Sequence, residues 1–517
     1  MPRSFEGAAV VSALADLAEI GVCAVLSFSL SSSHPGNPSM LFPTVDFAVF
    51  FLVVFTGSWL LRPHKIAWRW FILAASCVFY GWWDWNYLML LFLSIGVNWF
   101  LGLAVFRTLT PEGERTNASR WLVRIAVVIN LGILGYFKYF DFFVSTITEK
   151  MRSIGISVDA PILNIILPIG ISFFTFQAIS YVIDIGRGQW RKPLTLLDFA
   201  VYLSFFAHLV AGPIVRASEF APQLDEEPDP RYVRSAESFM LIFRGMFKKV
   251  VISSFLAVQI VDPVFANPNA YGPLAVLMAI YAYAIQIYAD FSGYTDIAIG
   301  VALLLGIRFP QNFDSPYIAL TLQDFWNRWH MTLSRWLRDY LYIPLGGNRG
   351  SKAMMYRNLF LVMIIGGLWH GANWTFVVWG AIHGSYLVAE RIVRAKWKGH
   401  ELGLPPLLVK AMQWFLVFNV VCLAWVFFRA TSVDEAFTVL GRLFASHGST
   451  AGVSLLLMVV IVASIASQFV PSRFPQKAEV WFATWAPALQ IAALAGGLVL
   501  VDALGPEGIA PFIYFQF

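Results

Sequence analysis

Apolar runs of about 20 residues recur along the whole chain, each closed by a short polar link. The first, MLFPTVDFAVFFLVVFTGSWLL, starts at Met40, and others cover approximately 66–85, 87–106, 121–140, 161–184 and 195–215. The pattern continues at 238–263 and at 272–306, the latter long enough for two helices or one broken helix. It ends with runs at 357–369, 374–392, 407–428, 452–470 and 481–503. A bilayer core about 30 Å thick is crossed by about 20 apolar helical residues. The expected fold is therefore all-α, a polytopic membrane protein with about ten to twelve transmembrane helices plus interfacial or re-entrant pieces. No polar link is long enough to fold alone, so residues 40–517 are expected to form a single membrane domain.

Residues 1–39 break the pattern. Asp16 and Glu19 interrupt what would be a signal-peptide core, and SLSSSHPGNPS reads as a loop. This segment is expected to be a dispensable or mis-called extension, an expectation that fails if a chain starting at Met40 does not insert or act.

The stretch 322–340 has a different rhythm. Leu322, Phe325, Trp326, Trp329, Leu333, Trp336, Leu337 and Tyr340 recur at helical spacing, so one amphipathic helix is predicted with these residues on one side. Asp324, Arg328, Arg335, Arg338 and Asp339 populate the other side, with Asp324/Arg328 and Arg335/Asp339 four apart, where opposite charges meet. Each charge costs about 2.5–3.5 kcal/mol at the centre of a lipid-facing helix. The helix is therefore placed at an interface or along a polar interior cavity, with His330 at the edge of its apolar side. Next comes NLFLVMIIGGLW, which ends on His370 between Gly366, Gly367 and Gly371. A histidine in a glycine-softened membrane helix suits either a buried polar site or a plain inter-helix hydrogen bond.

Composition agrees with the membrane reading. The chain has 517 residues, of which 58% are hydrophobic and 13% charged, about half the charged share of a soluble domain. Its net charge of +5 fits basic cytoplasmic links. Arg62, His64 and Lys65 follow the first run, and Arg107, Arg115 and Arg120 the third, which puts both links inside. No basic stripe with interleaved aromatics points to nucleic acid. Cys23, Cys77 and Cys422 are far apart, so neither a disulfide framework nor a metal motif is expected.

Other polar residues lie within apolar surroundings. Asp290, Ser292, Tyr294, Thr295 and Asp296 surround Gly293, which reads either as a bend between two helices or as the wall of a substrate cavity. His208 precedes Gly212-Pro213 and Arg216, and it is assigned a structural role, with Pro213 kinking or ending its helix. His383 is assigned to packing. GGNRG at 346–350 lacks the Lys-Ser/Thr of a phosphate-binding loop.

Taken together, QNFDSPYIALTLQDFWNRWHMTLSRWLRDYLYIPLGGNRG and GGLWHGANWTFVVWGAIHG resemble the membrane-bound O-acyltransferase (MBOAT) family. The LRDYLYIPLGGNR run is most similar to its bacterial polysaccharide branch, typified by alginate O-acetylation. FWNRWH and WHG are shared with the teichoic-acid D-alanyl branch. LPIGISFFTFQAISYVIDIGRG, AHLVAGPIVR, YADFSGYTDIAIG and FIYFQF extend the resemblance over 40–517, with the core motifs in 285–392. Ala207 departs from the proline that relatives often carry there.

The resemblance implies an O-acyltransferase fold around a central tunnel. His370 matches the family's essential histidine and His330 its second, with donor and acceptor entering from opposite sides. A group of near-neutral pKa is suited to taking the hydroxyl proton in acyl transfer. His370 is therefore assigned as general base and His330 as an orienting or polarising group, with the exchange of these roles left open. Asp290, Asp339, Asn348, Arg349 and Trp374 are the candidate substrate-binding residues. No bound cofactor or metal is expected, and acetyl-CoA is the expected donor substrate. The resemblance further implies a bacterial inner-membrane location, an extracytoplasmic acetyltransferase partner and a polysaccharide acceptor. Two alternatives remain: a D-alanyl-type enzyme drawing on a carrier-protein thioester, and a transporter that moves acyl groups without chemistry.

Overall fold

A computed structural model describes residues 42–505 and 513, apart from 157–162, 164, 191, 230–232, 397–402 and 472. The expected extension over 1–39, its boundary at Met40 and most of FIYFQF lie outside the described residues.

Helices make up about three-quarters of the described chain. In order they are α1 (Val45–Leu61), α2 (Lys65–Gly81), α3 (Trp85–Arg107), α4 (Asn117–Ser153), α5 (Ile171–Gly186) and α6 (Leu196–Ser204). There follow α7 (Ser235–Ala266, with two π-helical stretches), α8 (Pro273–Leu304), α9 (Leu322–Arg328), α10 (Met331–Leu337), α11 (Lys352–His370) and α12 (Trp374–Lys396). The last are α13 (Pro406–Arg429), α14 (Val433–Arg442), α15 (Leu455–Ser467), α16 (Arg473–Ala483) and α17 (Pro487–Leu504). Among the described residues, α3, α4, α7, α8, α13 and α17 are long and apolar enough to cross a membrane, and α1, α5 and α15 are shorter apolar helices.

Some apolar runs are not simple spans. The run 195–215 becomes α6, a single turn at Phe206–Leu209 and then irregular chain through Pro213, so the predicted interruption is present. The run 161–184 is helical only from Ile171. These short pieces sit in the interior, where side chains satisfy their freed backbone groups. The Ser76 hydroxyl, for example, accepts from the Phe206 amide at 3.2 Å.

Residues 273–304 form one unbroken helix, neither two helices nor a bend at Gly293. Gly293 is a contact point. A Cβ on it would lie 2.7 Å from the Gly245 carbonyl oxygen, so the missing side chain lets α7 and α8 touch backbone to backbone. The carboxylates beside it are charge-paired across this contact. Asp296 binds Arg244 at 2.8 and 2.9 Å and Lys248 at 2.8 Å, while Asp290 binds buried Lys249 and accepts from the Ile513 amide at 2.9 Å. Removing one partner of such a pair leaves an uncompensated buried charge, so these aspartates hold helices together.

Candidate functional site

His330 does not ride on a continuous helix. The predicted helix over 322–340 is two short helices, α9 and α10, with Trp329 extended and His330 in the left-handed region at φ 43°, ψ 54°. Among the described non-glycine residues only Ser315 and His330 have positive φ, a conformation that L side chains adopt reluctantly. A third irregularity follows, because Arg338–Tyr342 is π-helical. The rotation separates Arg335 from Asp339: Arg335 pairs with Glu219 at 2.8 Å, and Asp339 with Arg216 and Arg338 at 2.7 Å each. The expected Asp324–Arg328 pair does form, at 2.9 Å.

One side chain, Asn312, holds the strained turn. Its backbone oxygen accepts from the Met331 amide at 2.9 Å. Its Oδ1 accepts from the Thr332 amide at 3.2 Å and the Thr332 hydroxyl at 2.9 Å, and lies 3.1 Å from His330 Nδ1. This network fixes the tautomer. A backbone amide only donates, so the Asn312 atom facing Thr332 is the oxygen, and an amide oxygen only accepts. His330 Nδ1 therefore carries the proton, and Nε2 carries the lone pair. Nε2 is buried and has no hydrogen-bond partner among the described residues. Asn312 is the principal residue that sequence reasoning missed.

His370 is held by its helix end. It is the last residue of α11, and Gly371 continues in extended backbone at φ −161°. The freed carbonyls of that final turn are capped from α4: Lys138 Nζ donates to the oxygens of Trp369 at 2.5 Å and His370 at 3.0 Å, and the Tyr139 hydroxyl to that of Leu368 at 2.6 Å. A cation at a helix C-terminus also opposes the macrodipole. Gly367 permits close approach to α12, since a Cβ there would lie 2.2 Å from the Phe376 carbonyl oxygen. Gly367 thus packs α11 against α12, Gly366 faces the Leu337 side chain, and neither interrupts α11.

Both histidines are interior, His330 at 0% and His370 at 4% exposure. They flank Trp369, whose ring lies 6.0 Å from His330 and 5.1 Å from His370. Phe291 meets His330 edge-on at 4.7 Å, and Trp379 and Phe428 meet His370 at 5.2 and 5.1 Å. The fold brings His330 and His370 to the same indole ring. The rings around both histidines are thus aromatic.

The other candidates lie apart. Asn348 and Arg349 are exposed on the turn before α11, and the 19 residues of α11 rise about 28 Å to His370. Asn348 Oδ1 accepts from the Tyr342 hydroxyl at 2.7 Å and from Arg391 at 3.2 Å. Asp339 is a clasp: beyond its two arginine partners, its carbonyl accepts from Arg187 at 2.8 Å. Trp374 starts α12, is 51% exposed and lies against Phe142 at 5.5 Å. Asp290 is occupied by Lys249, as described above. His208 is buried, with Nε2 2.9 Å from the Tyr202 carbonyl. Among the described residues no cluster of His, Cys, Asp or Glu could hold a metal ion.

Comparison with known proteins agrees with this geometry. Residues 187–428, which contain both histidines and Asn312, match the model of the membrane-bound O-acyltransferase family. A protein of Azotobacter vinelandii described as probable alginate O-acetylase AlgI is 37% identical, covering 92% of this chain and 100% of its own length. The peptidoglycan O-acetyltransferase of Helicobacter pylori is 38% identical over 79% of this chain and 80% of its own. The teichoic acid D-alanyltransferase of Streptococcus thermophilus is 31% identical over 52% and 70%. The chain therefore belongs to the membrane-bound O-acyltransferase family and is a multi-pass membrane O-acyltransferase.

Proposed function

We propose that the protein takes an acetyl group from cytoplasmic acetyl-CoA, across the bacterial inner membrane, toward hydroxyls of an exported, alginate-like polysaccharide. An extracytoplasmic acetyltransferase partner completes the delivery. The observation that supports this most is the placement of two imidazoles on either side of Trp369, one of them with a lone pair at a defined atom. Alginate is the acceptor suggested by the name of the Azotobacter relative.

In the proposed step an acceptor hydroxyl oxygen attacks the thioester carbonyl carbon and passes its proton to His370. The C–O bond forms, the C–S bond breaks, and the imidazolium returns the proton to the leaving thiolate, giving ester and free thiol. A base so placed contributes about 10²- to 10⁴-fold in rate. His330 Nε2 accepts a hydrogen bond and cannot donate one while Nδ1 holds the proton. Because the attacking hydroxyl has a single proton and that proton goes to His370, this lone pair suits accepting from a second donor on the acceptor, and so orienting it, better than polarising the thioester carbonyl. The same lone pair supports a second reading with the two roles exchanged, distinguished by comparing kcat in single-histidine variants.

Asn348 and Arg349 are proposed to shape the donor entrance at the far end of α11, with Trp374 contacting a reactant from its exposed position. Asp339 is proposed to keep that entrance in shape through Arg216 and Arg338, and Asp290 to support the chamber from α8. Family membership disfavours the transporter reading, and the D-alanyl relatives keep a carrier-protein donor in contention. Membranes containing the protein and its partner, given acetyl-labelled CoA, are expected to place alkali-labile label on polysaccharide. Label transferred only from a carrier-protein thioester would overturn the acetyl-CoA donor.

A further inference from the structure

The sequence gives no reason to notice His383, but its surroundings do. It is 0% exposed, and neither ring nitrogen has a hydrogen-bond partner among the described residues. Its neighbours are aromatic: Trp379 at 4.7 Å, Trp326 at 5.2 Å and Phe325 at 6.3 Å. An imidazole there loses its hydration and gains nothing that phenylalanine or leucine would not supply. Each such exception in a folded interior calls for a partner, either water or a ligand.

His383 is not alone. Thr375, Trp379 and His383 recur at one-turn steps on α12, about 6 Å apart along the helix, and are 0%, 1% and 0% exposed. The Thr375 hydroxyl and Trp379 Nε1 are also buried without a partner, as is Trp326 Nε1 of α9 opposite them. The indole rings of Trp326 and Trp379 meet at 5.6 Å. Trp379 in turn touches His370 at 5.2 Å. Four side chains thus carry unmet hydrogen-bonding atoms, and the middle one of the α12 series touches His370.

We propose that Thr375, Trp379 and His383, faced by Trp326, form a binding wall for the reactant that reaches His370, with His383 a contact residue. The wall offers two indole N–H groups, a hydroxyl and an imidazole, and no carboxylate, lysine or arginine stands among them. It therefore takes an uncharged segment bearing carbonyl or hydroxyl oxygens, not a phosphate or carboxylate. This rests on the acyl-transfer reading for the reactant's identity, but not for the unmet polarity itself.

The test uses detergent-purified full-length protein and its His383→Phe, His383→Leu and His383→Gln variants. Thermal unfolding is measured alongside release of free CoA from acetyl-CoA. Where an unmet polar group is replaced by a fitting apolar one, Tm is expected to rise by about 1–3 °C in at least one apolar variant. KM is expected to rise about tenfold or more in both apolar variants, with His383→Gln recovering part of the loss. A rise in Tm with kinetics unchanged overturns the wall. So does a fall in Tm in both apolar variants, since it shows the imidazole to be satisfied in the resting fold. If wild type releases no CoA, the acetyl-CoA donor fails, and the Tm comparison alone decides: a gain supports the wall and no gain overturns it.

Discussion

The two histidines are fixed in opposite ways. His330 is held through its ring and through a strained backbone, both anchored on Asn312, and so its protonation pattern and direction are set together. His370 is held through the carbonyls of its helix end, where Lys138 binds the Trp369 and His370 oxygens and Tyr139 that of Leu368, all from α4. The first arrangement suits a group that orients. The second fixes the backbone on which the ring is carried, which suits a group that gains and loses a proton.

Variants can break this contrast in order of severity. His370→Ala is expected to lower kcat for CoA release by about 10²- to 10⁴-fold with folding intact, read by steady-state kinetics beside a thermal melt. Asn312→Leu removes the acceptor for three donors, each costing about 1–3 kcal/mol when left buried and unpaired. It should lower both Tm and activity, whereas Asn312→Asp, which keeps the acceptor, should retain most of both. Lys138→Met leaves the Trp369 and His370 carbonyls without their cap while Tyr139 still holds that of Leu368, at a cost of about 1–2 kcal/mol. It should lower kcat roughly tenfold with KM little changed, and hydrogen exchange near 366–370 should accelerate. Arg349→Ala, far from the histidines, should raise KM for acetyl-CoA by about threefold and leave kcat unchanged.

The legible and illegible parts of the chain divide along sequence distance. Apolar runs located the long helices because hydrophobic length is a local property, and the motif around His330 and His370 identified the pair. The interruption at Trp329–His330 was hidden, since apolar spacing continues across it and its cause is Asn312, 18 residues away. Gly293 looked like a bend because a glycine needed for close approach and one needed for flexibility are identical in sequence, and only α7 opposite distinguishes them. Asp290 and Asp296 looked like cavity walls for the same reason: their partners Lys249, Arg244 and Lys248 are more than 40 residues distant. Lys138 did leave a signal, a lone lysine within the apolar run 121–140. His383 left none that separated packing from function.

In the proposed function, the buried histidine pair transfers an acyl group from acetyl-CoA. The most direct test is CoA release by purified protein in nanodiscs, with and without the partner, for wild type, His370→Ala and His330→Ala. Release should collapse in the His370 variant and weaken in the His330 variant while both remain folded. Release that persists undiminished without His370 would contradict it.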